Sequence, residues 1–231
     1  MIKFDRYKDG KRYALTFSYD DGGAQDRRLA PLFRKYGMKA TIFAIGVSFG
    51  TDHYKDTDYA ITPHFGAAEA AEMTASGLIS IQSHTYDMHQ WPPYEDGSAA
   101  VRENILQLPG ESEESYVQAL TEDFTRSRAL LEGATGQPVD VLAYPAGQYS
   151  TLAQVTLQSL GVHVTLSTNP GVNTVVKGLP QTLYAMLRFG IMEDISPEAL
   201  LDQIRVDRYT IGAAKPFFQE GRGNGKLFAE E

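Results

Sequence analysis

Residues 16–22 read Thr-Phe-Ser-Tyr-Asp-Asp-Gly, and residues 83–89 read Ser-His-Thr-Tyr-Asp-Met-His. In the first stretch an aromatic, β-type run stops at two adjacent carboxylates, Asp20 and Asp21, followed by glycine. In the second, His84 and His89 come just after the strand-like run Leu78–Gln82. Strands that deliver polar groups at their C-terminal ends point to a largely parallel α/β sheet, where the loops after the strands carry chemistry. One carboxylate with two imidazoles is a common way to hold a divalent cation with positions left open. The neighbouring carboxylate is then free to act as a base on water at that cation.

Outward from these stretches, strand-like runs alternate with helical patterns. Strands are expected at Tyr13–Tyr19, Ala40–Ile45, Leu78–Gln82, Val139–Tyr144 and Val162–Leu166, with a further apolar run at Thr182–Ile191. Gln25–Tyr36 reads as a helix with Leu29, Leu32, Phe33 and Tyr36 on one face and Gly37 as its stop. Ala67–Ser76 reads as a short helix closed by Gly77. Ser112 caps a helix with Glu113 and Glu114 in its first turn and Tyr116, Leu120, Phe124 and Leu131 on one face. Leu152–Leu160 is a further helix, and Ser196-Pro197-Glu198 opens a last one. Residues 49–63 and 90–110 read as long loops. The alternation favours a parallel sheet, but periodicity leaves a barrel and an open doubly wound sheet both open. No repeat or linker interrupts the pattern, so residues 1–231 are expected to form one domain, with a core over about 12–205 and a flexible tail at 218–231.

Composition narrows the functional classes. The chain has 231 residues, 42% of them hydrophobic and 22% charged, with a formal net charge of −8. It is therefore a folding chain rather than a disordered one. The negative balance argues against non-specific nucleic-acid binding and is compatible with a neutral or cationic polymer. With no cysteine, disulfides and thiolate ligands are excluded, and a metal site must use His, Asp or Glu. No apolar run reaches membrane-spanning length. The first ten residues hold no apolar signal core, so localisation stays open between a cytoplasmic protein and one whose export signal has been removed.

With Ala143-Tyr144-Pro145-Ala146-Gly147 added, the two opening motifs carry a resemblance over residues 12–205. The chain resembles the NodB-type polysaccharide deacetylases, carbohydrate esterase family 4. Within them it is most similar to the branch acting on poly-N-acetylglucosamine, which also places four residues between its motif histidines. The resemblance implies a distorted, incomplete (β/α) barrel with about seven parallel strands. It implies Asp21, His84 and His89 as metal ligands and Asp20 as general base. It implies the main-chain N–H of Tyr144 as an oxyanion donor, aimed by Pro145. Zinc is the expected metal, with nickel, cobalt, iron and manganese also compatible with an Asp-His-His set. The expected enzyme is a hydrolase of carbon–nitrogen, non-peptide bonds, with an acetylated carbohydrate as substrate. An O-acetyl esterase on xylan-like polysaccharide and a non-catalytic, metal-containing glycan-binding protein are the alternatives.

Two departures from the family pattern matter. Ala143 stands where the family commonly has an arginine that tethers the base. Arg188 is then either its replacement, a group on the substrate side or a plain surface residue. The family also often supplies a late general-acid histidine, whereas here only His163 follows His89, within an apparent strand. Trp91, Pro145 and Arg188 are the candidate substrate-side residues, the tryptophan because sugar rings stack on aromatic faces. His53 and His64 read as loop residues, with His64 a possible edge of the groove. Asp87 reads as a local cap more readily than as a carboxylate orienting an imidazole.

Overall fold

A computed structural model describes residues 14–95, 97 and 100–191 of the chain. The expected helix at Ser196 and the tail at 218–231 lie outside the described residues. Among the described residues, five short strands form one sheet: β1 (Phe17–Tyr19), β2 (Ala40–Ala44), β3 (Ile79–Ser83), β4 (Val141–Ala143) and β5 (Val164–Leu166). All neighbours are parallel, and the spatial order β1-β2-β3-β4-β5 is the chain order. A doubly wound sheet reverses its strand order at a switch point, whereas a barrel winds on in one direction. The unreversed order is therefore that of a curled, incomplete (β/α) barrel. The expected run at 182–191 adds Met186 beside Leu166 by a single parallel bridge, so it extends the sheet by one rung.

The helices are α1 (Leu29–Tyr36), α2 (Ala67–Thr74), α3 (Glu113–Thr135) and α4 (Thr151–Ser159). The helix expected over 25–36 is split, because Ala24–Arg28 is a 3-10 turn and only Leu29 onward is α-helical. Pro31 explains the break. Its ring clashes with the carbonyl four residues back, so an α-helix can start no more than a few residues before it. The inner face also differs from the expected one. Ala30 and Phe33 are buried, while Leu32 and Tyr36 face outward. Gly37 does end the helix, in the left-handed conformation. Helix α3 follows its expected grammar: Ser112 Oγ accepts from Ser115 N–H at 3.1 Å, and Gly136 closes the helix in left-handed geometry.

The core lies between the sheet and the helices. Ile42 and Ile81 face each other across β2 and β3 and are fully buried, as are Leu142, Leu120, Phe124, Leu131 and Leu157. Each such side chain contributes roughly 1.5–3 kcal/mol by leaving water. Helix α3 packs against α2, α4 and β3, which sets it alongside the strand that ends in the first histidine. No helix of the described residues is long and apolar enough to cross a membrane.

Candidate active site

The C-terminal ends of β1 and β3 deliver the two motifs to one place. After β1 the chain turns at Asp21, which adopts φ 73°. Gly22 follows at φ 81°, where an added Cβ would sit 3.1 Å from the Ala44 Cβ. The turn thus needs glycine both for its backbone and for its close approach to β2. After β3 the chain carries His84, then a loop that returns to His89.

Asp21, His84 and His89 present ligand atoms that all lie within 4.8 Å of one another. Asp21 Oδ1 is 3.5 Å from His84 Nε2 and 3.8 Å from His89 Nε2. Tetrahedral ligands at ordinary zinc bond lengths stand about 3.3 Å apart, so the two aspartate–imidazole separations come close to what a small divalent cation needs. His84 Nδ1 lies 2.8 Å from the Ala143 carbonyl oxygen. A carbonyl can only accept, so Nδ1–H donates, and in the neutral imidazole Nε2, which faces Asp21, is the lone-pair atom. Burial, and then the neighbouring His84, push the His89 imidazole below its ordinary pKa, which favours the neutral, ligating form. The His84 side chain is 2% exposed and that of Asp21 58%, so the cluster opens to solvent on the aspartate side.

Asp20 stands behind this cluster in the grip of Arg188. Nη1 donates to Asp20 Oδ1 and Nη2 to Oδ2, each at 2.8 Å. The guanidinium is itself fixed, since Nε–H donates to the Ser167 carbonyl at 2.8 Å and Nη1 also to Ser18 Oγ at 3.1 Å. Burial alone would raise the Asp20 pKa, but the Arg188 hydrogen bonds and the surrounding positive charge prevail and hold it below its usual value. Arg188 is therefore turned toward Asp20. Of the roles open to it, the substrate-side one is the one this geometry does not bring about.

Other expectations need correction. The Tyr144 N–H is engaged in the sheet, donating to the Leu166 carbonyl at 2.9 Å. Its phenol is buried and donates to Gln154 Oε1. The β4–β5 ladder runs one residue past the formal end of β4, so Tyr144 is a core residue rather than an oxyanion donor. Pro145 is buried at the first position of a 3-10 turn, which makes it a shaper of the backbone and leaves no ring face for a sugar. His163 is not a general acid of this site. It lies at the N-terminal end of β5, paired with Asp140 at 3.1 Å, with its side chain 71% exposed. Trp91 is 53% exposed, and its indole stacks on the His89 ring at 6.1 Å and 21°. It thus forms a wall beside the ligand cluster. Asp87 bonds away from both imidazoles, with Oδ2 3.0 Å from Lys55 Nζ.

Three residues near the site escaped the sequence reading. Asp26 is buried behind the turn, and burial, then the charges of Asp21 and Asp20, raise its pKa to about 6. Lys55 joins the two long loops, pairing with Glu95 at 2.8 Å as well as with Asp87. Asp123, on α3, binds the main chain of the histidine loop. His64 also lies closer than expected, because its bridge with Gly23 sets it alongside the Asp20–Asp21 turn.

The family profile described as polysaccharide deacetylase matches residues 5–165. A Bacillus subtilis (strain 168) protein, YxkH, whose name places it among polysaccharide deacetylases, is 28% identical over 200 residues, covering 86% of this chain and 58% of the relative. The chain thus spans less than two thirds of that relative's length. Among solved structures, a de-N-acetylase from Aggregatibacter actinomycetemcomitans superposes with a TM-score of 0.66 at 19% identity, over 81% of this chain and 73% of the other. IcaB from Ammonifex degensii gives 0.57 at 23% identity, over 79% and 67%. Both likenesses are in the fold.

Proposed function

The chain belongs to the polysaccharide deacetylase family, and from that premise we propose that it is a metal-dependent hydrolase of N-acetylated sugar polymers or oligosaccharides, releasing acetate and leaving a free amine. The observation that carries this reading is the meeting of Asp21, His84 and His89 within 4.8 Å, beside an Asp20 held by both arms of Arg188. A divalent cation on that donor set, zinc by its chemistry, supplies Lewis-acid polarisation of the acetyl carbonyl and makes water more acidic.

The remaining work falls to this chain's own side chains and backbone. Asp20 takes the proton of the attacking water. Arg188 keeps both of its oxygens ionised and aimed, while leaving lone pairs free, because each carboxylate oxygen can accept more than one hydrogen bond. With Tyr144 N–H committed to the sheet and Pro145 lacking an N–H, the next main-chain donor is that of Ala146. This residue is exposed, in the left-handed conformation (φ 52°). We assign it the oxyanion. With His163 held at the other end of β5, Asp20, once protonated, returns its proton to the leaving amine as the C–N bond breaks. Trp91, beside His89, offers one face to the sugar ring.

The preference for an amide is supported by the four-residue histidine spacing and by the relative named as a de-N-acetylase. An O-acetyl esterase is the second reading, favoured by the placement of His163 away from the site, since an alkoxide leaves with less help from an acid than an amide nitrogen does. Acetate release from N-acetylglucosamine oligomers and from acetylated xylan, compared at equal zinc, separates the two. Release from the oligomers at the higher kcat/KM supports the amide reading, and the reverse order replaces it with the esterase.

A further inference from the structure

We infer that Asp123, with Ser127 one turn further along α3, is a positioning device that fixes the loop between the two histidine ligands; this rests on the metal-dependent reading above. His84 and His89 are five residues apart, a spacing that no regular helix face supplies. The chain between them must bend, and the bend is costly. Thr85, β-branched and fully buried, sits at φ 72°, a conformation such residues seldom adopt without outside support.

That support comes from α3. Asp123 is 7% exposed, and its carboxylate accepts two successive main-chain donors of the loop, Tyr86 N–H on Oδ1 at 2.8 Å and Asp87 N–H on Oδ2 at 2.6 Å. Ser127 Oγ lies 2.8 Å from Ser83 Oγ, which in turn accepts from Thr85 N–H at 3.1 Å. Residues four apart on a helix share a face, so one stripe of α3 reaches the start and the middle of the loop. From the opposite side, Gly46 N–H donates to the Thr85 carbonyl at 3.0 Å and Val47 N–H to that of Tyr86 at 2.9 Å. A Cβ at position 46 would lie 2.3 Å from Tyr86 Cδ2, so the loop is clamped closely between β2's extension and α3. The Arg126 guanidinium lies 4.0 Å from the Tyr86 ring centroid.

A buried carboxylate is expensive unless its hydrogen bonds are met. An apolar side chain would fill this part of α3 more cheaply, but it would leave two loop N–H groups without acceptors. The carboxylate matches two N–H groups that point the same way only when the loop is bent as it is. Groups that orient ligands in this manner commonly alter metal affinity when they are removed.

The test is zinc affinity, by competition with a chelating dye, on the purified full chain, read beside Tm and kcat and KM for acetate release. Asp123→Ala is expected to weaken zinc binding about 10–100-fold. Asp123→Asn, which keeps one acceptor and turns an NH2 toward the other donor, is expected to fall between it and wild type. At saturating zinc the loss appears in kcat, with KM nearly unchanged. Leu157→Ala in α4 serves as a stability control, lowering Tm while leaving zinc affinity as in wild type. Asp123 variants that lose Tm as the control does, yet bind zinc like wild type, overturn the inference. Should Asp123→Ala not fold, Asp123→Asn decides by the same criterion. Failure of wild type itself to bind zinc contradicts the functional reading instead, so the two failures are distinguishable.

Discussion

The Asp20–Gly23 turn and the His84–His89 loop feed one cluster but are secured in opposite ways. The turn is held by charge. Asp20, the proposed base, is gripped by one guanidinium that arrives from 168 residues away, and Asp21, a proposed ligand, is left more than half exposed. The loop is held through its backbone, with Asp123, Ser83, Gly46 and Val47 each bonding its main chain, and its first histidine, His84, is buried. The difference teaches where each function is vulnerable. The geometry of the proposed ligands thus depends on packing and on main-chain bonds, two of them to the Asp123 carboxylate, whose pKa burial raises to about 6, whereas the readiness of the proposed base depends on a single ion pair.

Four substitutions break or sharpen that contrast. The largest effect is expected from His84→Ala, which removes the buried ligand. Zinc titration should show the site lost, and acetate release should fall to the level of the metal-free protein. Next comes Arg188→Lys. A lysine ammonium cannot reproduce the two-armed contact, and turnover at neutral pH should drop roughly tenfold or more, short of the ~10²–10⁴ that loss of the base itself would cost, while zinc affinity stays. The pH dependence has a definite sign. Arg188 holds the Asp20 pKa down, so weakening the pair lets it rise. Because the ionised form is the base, the acid limb of the kcat/KM profile should move to higher pH. An unmoved limb would detach Arg188 from Asp20's chemistry.

A smaller effect is expected at Trp91. Trp91→Ala should raise KM for oligomers about 2- to 10-fold, the scale of a lost aromatic contact, with kcat little changed. The smallest kinetic effect is expected from Tyr144→Phe. The phenol is buried on Gln154, so its loss should cost about 1 kcal/mol of stability by chemical denaturation and leave kcat within about twofold of wild type. A large fall in kcat would restore Tyr144 to the chemistry.

How much of this was legible in the sequence follows from which interactions are local. Asp20, Asp21, His84 and His89 stand out because a strand's alternation stops at them, and the chemistry lies within a few residues of the stop. Parallel topology followed from the same placement. Arg188 carries no local mark of its partner, because the pairing with Asp20 exists only once β1 and the segment after β5 come together. Asp123 lies on a helix rich in Glu and Arg, where a carboxylate reads as one more solvated charge. Tyr144 misled because one residue of sheet register decides whether an N–H at a strand end is free or bonded, and sequence periodicity does not resolve single residues at boundaries. His163 reads the same on either end of a strand until the direction of β5 relative to the site is known.

The most direct test of the account is Asp20→Asn assayed against N-acetylglucosamine oligomers with zinc content measured on the same samples. The account predicts that wild type releases acetate, while Asp20→Asn binds zinc with near wild-type affinity and loses about 10²–10⁴ in kcat. A variant that keeps full activity with zinc bound would contradict Asp20 as the base, and with it the central claim that an arginine-held carboxylate drives the reaction.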